Sequence, residues 1–176
     1  AKGDPTDKFK VNFKFKSNYK PVSCPPPKDR PGSAKWKVLE SFRVDYEAKG
    51  LLVQDKSSSW ANRPHLVEKW SPGQERSGIP KSLRFTADMS NSNSQIDLIA
   101  TERPNVESEL ARTAGHKYYV SADAMSAYWS FEVGHESSQA SSVWLPNNGE
   151  WRLYRFTRLV MGGRNSAAHM LSLIHI

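Results

Sequence analysis

The sequence predicts an α+β fold, and three observations carry that expectation. Trp36, Leu39, Phe42, Arg43 and Tyr46 recur at three- and four-residue spacing, the period of one buried helix face. The stretches HLVEKW (65–70), SLRFTAD (82–88) and WRLYRFTRL (151–159) are instead short, rich in β-branched and aromatic residues and bounded by turn formers, as strands are. Helix and strand signals share one chain of 176 residues, long enough for one domain with a real core or for a large piece of something bigger.

Residues 1–32 read as an extended, basic, Pro-rich arm. Within it KFKVNFKFKSNYK (8–20) alternates Lys with Phe, Val and Tyr at strand period, which suits either an edge strand guarded by lysines or a nucleic-acid contact. Pro25, Pro26, Pro27, Pro31 and Gly32 then make a stiff linker. Ser33 can cap the helix that Gly50 ends, and Leu51–Val53 follows as a short buried piece. After the SSSWANRP loop, HLVEKW and SLRFTAD form a β-hairpin with a long tip. Arg76 and Lys81 make that tip basic and Arg84 stands beside it, either to meet a phosphate or as ordinary solvated charges.

Ser90–Ser94 reads as a polar loop, and Asn105–Arg112 as a helix with Pro104 in its first turn and Gly115 as its end signal. Tyr118–Val120 reads as a strand whose end holds the lone carboxylate Asp123, before a loop of small residues that reaches Tyr128. GHESSQAS (134–141) is expected as loop, Ser142–Leu145 and Trp151–Leu159 as strands, and Asn147, Asn148 and Gly149 as their hairpin turn. Gly162 and Gly163 end the second strand, and a helix begins after Asn165.

Lys and Arg number 25 against 18 Asp and Glu, a net charge of +7 that favours a polyanionic partner. The single cysteine, Cys24, excludes an internal disulfide and a Cys-based zinc site and fits a reducing compartment. No apolar run approaches about 18 residues, so no membrane span is expected, and the Lys-rich start lacks the apolar core of a secretory signal. The five His have no metal-ligand spacing, no nucleophile stands beside a base, and there is no Gly-Lys phosphate loop. Taken alone, Asp123 suits a strand-end carboxylate accepting backbone amides. These residues describe a basic α+β module compatible with nucleic-acid binding.

Four blocks in order, GLLVQDKSSSWANRPHLVEKW, LRFTADMSN, YYVSADAMSAYWSFEV and LYRFTRLVMGGRNSAAHM, resemble the reverse transcriptase of gypsy-type LTR retrotransposons and its retroviral relatives. They cover about residues 50–170, and KPV (20–22) and AKGLL (48–52) match the usual lead-in. The resemblance implies a right-hand polymerase fold of which this chain holds only the fingers and the first part of the palm. Residues 33–97 and 131–165 would be fingers, 98–130 palm carrying the catalytic strand, and 166–170 the start of a palm helix.

The implied activity is RNA-directed DNA synthesis, nucleotidyl transfer from a dNTP to a primer 3′-hydroxyl with two Mg²⁺ ions. Asp123 would be a catalytic carboxylate and metal ligand, with the Ala124 carbonyl beside it. Arg84 and Lys81 would meet the triphosphate, Ser126 and Ala127 would offer backbone amides to it, Tyr128 would pack under the deoxyribose, and Met161 would lie against the nucleotide. Lys69 and Arg76 would contact nucleic acid. The implied partners are an RNA or DNA template with its primer, dNTP and the rest of a Pol polyprotein (thumb, connection and ribonuclease H), in a cytoplasmic retroelement particle with nuclear access.

The chain departs from the family pattern at several positions. Ser90 stands where the family has an arginine, Val160-Met161-Gly162 replaces Pro-Phe-Gly, and Asn165-Ser166-Ala167 replaces Asn-Ala-Pro. The family's Tyr-x-Asp-Asp segment is not among these residues, so the chain alone is expected to be inactive. Its last six residues, LSLIHI (171–176), resemble a translated sequencing adapter and are left out of the fold expectation. Two rival readings remain: a retroelement-derived remnant that binds nucleic acid or protein without chemistry, and an unrelated basic α+β binding module.

Overall fold

A computed structural model of the chain describes residues 10–69, 82–101, 105–120, 123 and 126–174. The architecture is mixed α+β, with small antiparallel sheets packed against helices. Helix α1 (Ala34–Ala48) begins where Ser33 accepts a hydrogen bond from the Trp36 backbone amide at 3.3 Å. It ends at Gly50, whose φ of 68° reverses the chain so that the Leu51 amide bonds back to the Tyr46 carbonyl at 2.8 Å. Trp36 and Leu39 are buried, and Phe42 and Tyr46 continue the stripe over the core.

Strand β1 (Leu52–Gln54) leaves α1 directly, and the hairpin β2 (Arg63–Lys69) with β3 (Ser82–Asp88) forms one sheet by itself, Arg63 opposite Asp88 and Lys69 opposite Ser82. After short helices α2 (Ser90–Ser94) and α3 (Val106–Thr113), a 3-10 turn (Ala127–Ser130) and α4 (His135–Ala140) lead into β4 (Val143–Asn147) and β5 (Glu150–Phe156). Asn148 and Gly149 join β4 to β5 with φ of 50° and 78°, the two positive values a tight twisted hairpin needs. The second sheet has the order β1-β5-β4, all antiparallel. Its central strand therefore pairs with a segment about a hundred residues earlier, Leu52 lying opposite Phe156. The main core draws on both sides of the chain: Leu39, Leu52, Phe85 and Met89 from the first part, Val143, Leu145, Tyr154 and Phe156 from the second.

The arm docks on this body. Val11 bridges to Val133 and Phe15 to Ile96, while Phe13 between them is buried with Ile96, Val133 and Leu159 in a second cluster. Lys14 and Lys16 alternate with these residues and face solvent, so the strand-period pattern gives one docked and one basic face.

Several expected loops are ordered differently. Ser90–Ser94 is helical because Asp88 Oδ1 accepts from both the amide and the hydroxyl of Ser90, at 3.1 and 2.6 Å, and starts a turn. Residues 135–140 form α4 rather than loop, and their serines point inward. Ser137 Oγ accepts from the Phe13 amide at 2.7 Å, Ser138 Oγ donates to the Phe156 carbonyl, and Ser141 Oγ donates to the Ser138 carbonyl at 2.6 Å. A polar string reads as loop in sequence, yet here each hydroxyl satisfies buried backbone.

Tyr118–Val120, expected as a strand, is irregular and exposed, 97% at Val120, with no strand paired to it among the described residues. High β-propensity cannot make a strand without a partner for its backbone groups. Strand β5 stops at Phe156, three residues before the expected end, and α5 (Ser166–Ile174) runs on into residues left out of the sequence expectation. Among the described residues no helix is long and apolar enough to cross a membrane.

Asn62 ties the pieces together. It is fully buried, and its Nδ2 donates to the carbonyls of Ala140 and Ser142 at 3.0 and 2.9 Å while its Oδ1 accepts from Ser92 Oγ at 2.9 Å. Asn62→Ala should strand the Ala140 carbonyl and the Ser92 hydroxyl, the Ser142 carbonyl keeping its bond from the backbone amide of residue 62, and lower stability by about 1–3 kcal/mol, measured by urea unfolding; a loss below about 0.5 kcal/mol would show the network to be dispensable.

Asp55 is buried beside β1. Burial pushes its carboxyl up, but the amide and hydroxyl of Ser57, at 2.9 and 2.8 Å, and the Arg155 guanidinium, 3.5 Å away, outweigh this and hold it below the usual 3.8. A depressed carboxyl contributes stability that is present above its ordinary pKa and lost as pH falls through the folded value. Asp55→Asn should cost about 1–3 kcal/mol at neutral pH. It should also flatten the acid limb of the stability profile below about pH 4, read by thermal melts across pH.

Candidate functional site

The hairpin alternation decides where Arg84 goes. Phe85 and Ala87 turn into the core, so Arg84, the residue before Phe85, faces the other way and is exposed, with Val67 directly opposite it in register and Lys69 two residues further along β2. Arg84, Val67 and Lys69 therefore share the face away from the core. This face is one wall of a 570 Å³ cavity, whose other walls are Phe42 and Tyr46 of α1 and Met161 of the loop after β5. Arg84 Nη2 lies 3.2 Å from Met161 Sδ across 77 residues of chain. A thioether is a weak acceptor that leaves the guanidinium most of its donor capacity.

The Met161 loop is fixed by α2. Asn93 Nδ2 donates to the Gly162 carbonyl and its Oδ1 accepts from the Arg164 amide, both at 2.8 Å. Asn165, buried behind the loop, donates to the Asp97 carbonyl at 2.7 Å and accepts from the Ile99 amide at 3.1 Å. Gly162 has a φ of 94°, a conformation that lets the chain turn close to the Ala87 carbonyl.

The cavity combines an apolar floor with excess positive charge. Phe42, Tyr46 and Phe85 rings meet at centroid distances of 5.7–6.1 Å, while Arg84 and Lys69 face a single acid, Glu68. Burial and the neighbouring Asp45 push the Tyr46 phenol up, against the opposing charges of Lys49 and Arg84, so it stays neutral at physiological pH. Fixed cations above an aromatic wall suit an anion carrying a flat or apolar group.

The remaining expected residues lie elsewhere. Ser126 is exposed with a φ of 55°, and its carbonyl accepts from the Trp129 amide at 2.9 Å, which closes the 3-10 turn. Ala127 is half-buried, and Tyr128 packs on the Phe13, Ile96, Val133 and Leu159 cluster instead of lining the cavity. Trp129, which sequence reasoning passed over, stacks on Phe156 at 5.7 Å and meets Tyr46 edge-on at 5.6 Å. The turn thus sends Tyr128 to one core and Trp129 to the other, and touches the cavity through Tyr46. Asp123 is exposed and outside the cavity lining; it has no hydrogen bond or ion pair among the described residues. Ala124, Lys81 and Arg76 lie outside the described residues.

Among the described residues no three His, Cys, Asp or Glu side chains gather as a metal cluster. Asp123 is a lone exposed carboxylate outside the Arg84 cavity, and one such ligand does not make a resident Mg²⁺ site by itself.

Comparison with known proteins adds no family. No protein-family model matches the chain, and no curated protein matches it.

The asparagine clamp is the feature here that sequence gave least sign of. Asn93→Ala should free the Met161 loop and raise amide exchange at Arg164 about tenfold, the effect of losing roughly 1.4 kcal/mol of local protection, with exchange in β5 unchanged.

Proposed function

We propose that the chain is a fingers-and-first-palm portion of a reverse transcriptase of the gypsy-type LTR retrotransposon class, and that the Arg84 cavity receives the triphosphate end of a dNTP. The observation that carries this reading is the meeting of Arg84 and Met161 at 3.2 Å. These are two residues that the resemblance independently assigned to the nucleotide. Lys69 and the aromatic wall join them in one cavity. Arg84 offers a planar fork to phosphate oxygens and Lys69 a point charge.

Asp123, which lies outside the lining of that cavity, would be a hard-oxygen ligand for nucleotide-bound Mg²⁺, whose chemistry is to stabilise the attacking and leaving oxygens. These residues hold one carboxylate of the set that the reaction needs, so the chain by itself binds and does not polymerise. Ser90, at the sequence position where the family has an arginine, instead makes a short hydrogen bond to Asp88.

A second reading, a remnant that binds nucleic acid or protein without chemistry, is favoured by one observation. The segment meant to present Asp123, Tyr118–Val120, is exposed and irregular.

Titration of the chain with Mg·dNTP, followed by calorimetry, separates the two. On the polymerase reading the chain binds the nucleotide, Arg84→Ala weakens binding by about ten- to a hundredfold for a lost charge-assisted contact of about 1.5–3 kcal/mol, and primer extension is absent. Equal affinity in wild type and variant, or no binding by either, would leave the remnant reading.

A further inference from the structure

Arg84 and Met161 form a contact whose strength depends on the oxidation state of sulfur. Among the described residues Met161 is the one side-chain hydrogen-bond partner of Arg84, its Sδ lying 3.2 Å from Nη2. A thioether accepts weakly, so the guanidinium is held in place yet keeps its donors for an anion. One oxygen added to that sulfur makes a polar group that accepts strongly in the same spot. Both side chains can re-seat to form the new bond, since Arg84 is exposed and methionine is unbranched with three rotatable bonds. Asn93 holds the backbone on either side of the loop, at Gly162 and Arg164, so the change stays with the side chain. The sulfur is also within reach of a small oxidant. Met161 is half-buried on the wall of the 570 Å³ cavity, whereas Met89 in the core is 2% exposed.

We propose that Met161 is an oxidation switch on the Arg84 cavity: a hydroperoxide converts its thioether to a sulfoxide, whose oxygen captures the Arg84 guanidinium and withdraws it from a bound anion. In the chemical step the sulfur lone pair attacks one oxygen of hydrogen peroxide. The S–O bond forms as the O–O bond breaks, the transferred oxygen gives its proton to the departing hydroxide, and water leaves. Sulfur loses two electrons and the peroxide gains them. A thiol reductant reverses the change, two thiols becoming a disulfide as the oxygen departs in water. The identity of the anion, the triphosphate of a dNTP, rests on the nucleotide reading above; the capture of Arg84 rests on the contact alone.

The test is mild hydrogen peroxide treatment of the full 176-residue chain, with the oxygen gained at each methionine read by peptide mass spectrometry and the Arg84 Nε–H followed by NMR. Oxidation of Met161 should shift the Arg84 signal and slow its side-chain hydrogen exchange about threefold to tenfold, and weaken Mg·dNTP binding by a similar factor, as for one charge-assisted hydrogen bond that the anion must displace. A thiol-fed methionine sulfoxide reductase should restore both. Met161→Leu, measured against its own unoxidised form, should show neither change while its remaining methionines still react. Met161→Gln, which puts an acceptor oxygen on an unbranched side chain, should hold Arg84 as the sulfoxide does, without any peroxide. The proposal is overturned if Met161 stays reduced while Met170 oxidises, if fully oxidised Met161 leaves the Arg84 signal where it was, or if nucleotide binding survives oxidation unchanged. An unoxidised chain that binds no nucleotide, with the Arg84 shift still present on oxidation, overturns the nucleotide reading and leaves the capture standing.

Discussion

The buried side chain of Asn62 ties together α2, the end of α4 and the start of β4. Its three side-chain hydrogen bonds reach the end of α4, the residue before β4, and α2, all of them buried. Its backbone also bonds with Ser142 and Trp144 on the same flank. Buried amides left half-satisfied are costly, so the arrangement is close to all-or-none. Once α2 is fixed by Asn62, Asn93 of the same helix fixes the loop that carries Met161. One buried side chain in the first half of the chain therefore sets a wall of the cavity from the second half.

What was legible in the sequence follows a physical division. α1 with its Ser33 cap and Gly50 stop and the Asn148-Gly149 turn were readable because each depends on neighbours a few residues away, and the β2–β3 hairpin because both strands carry strong local β preference and are consecutive in the chain. α2 and α4 were not, because short serine-rich helices gain their stability from distant acceptors such as the Phe156 carbonyl, and composition alone points to loop. Tyr118–Val120 failed in the opposite direction. Local preference was strong, and the pairing that would express it is missing among the described residues.

The candidate site divides in the same way. Arg84 and Met161 came from the order of sequence blocks, and the fold joins them because hairpin register and the asparagine clamp act together. Tyr46, Phe42 and Trp129 carried no block of their own and entered only through packing. Tyr128 shows why motif position and cavity lining are separate matters: a half-buried aromatic in a 3-10 turn faces whichever cluster the turn presents it to.

Residues 105–120, α3 and the stretch after it, are exposed throughout, while Ile96 before them and Tyr128 and Trp129 after them pack in the two cores. Closing an exposed loop costs entropy only as the logarithm of its length, so doubling it adds about 0.6 kcal/mol. The body can therefore accept insertions, deletions or a grafted module there with little penalty. That tolerance makes this segment the natural place for the molecule to change over evolution without losing its frame.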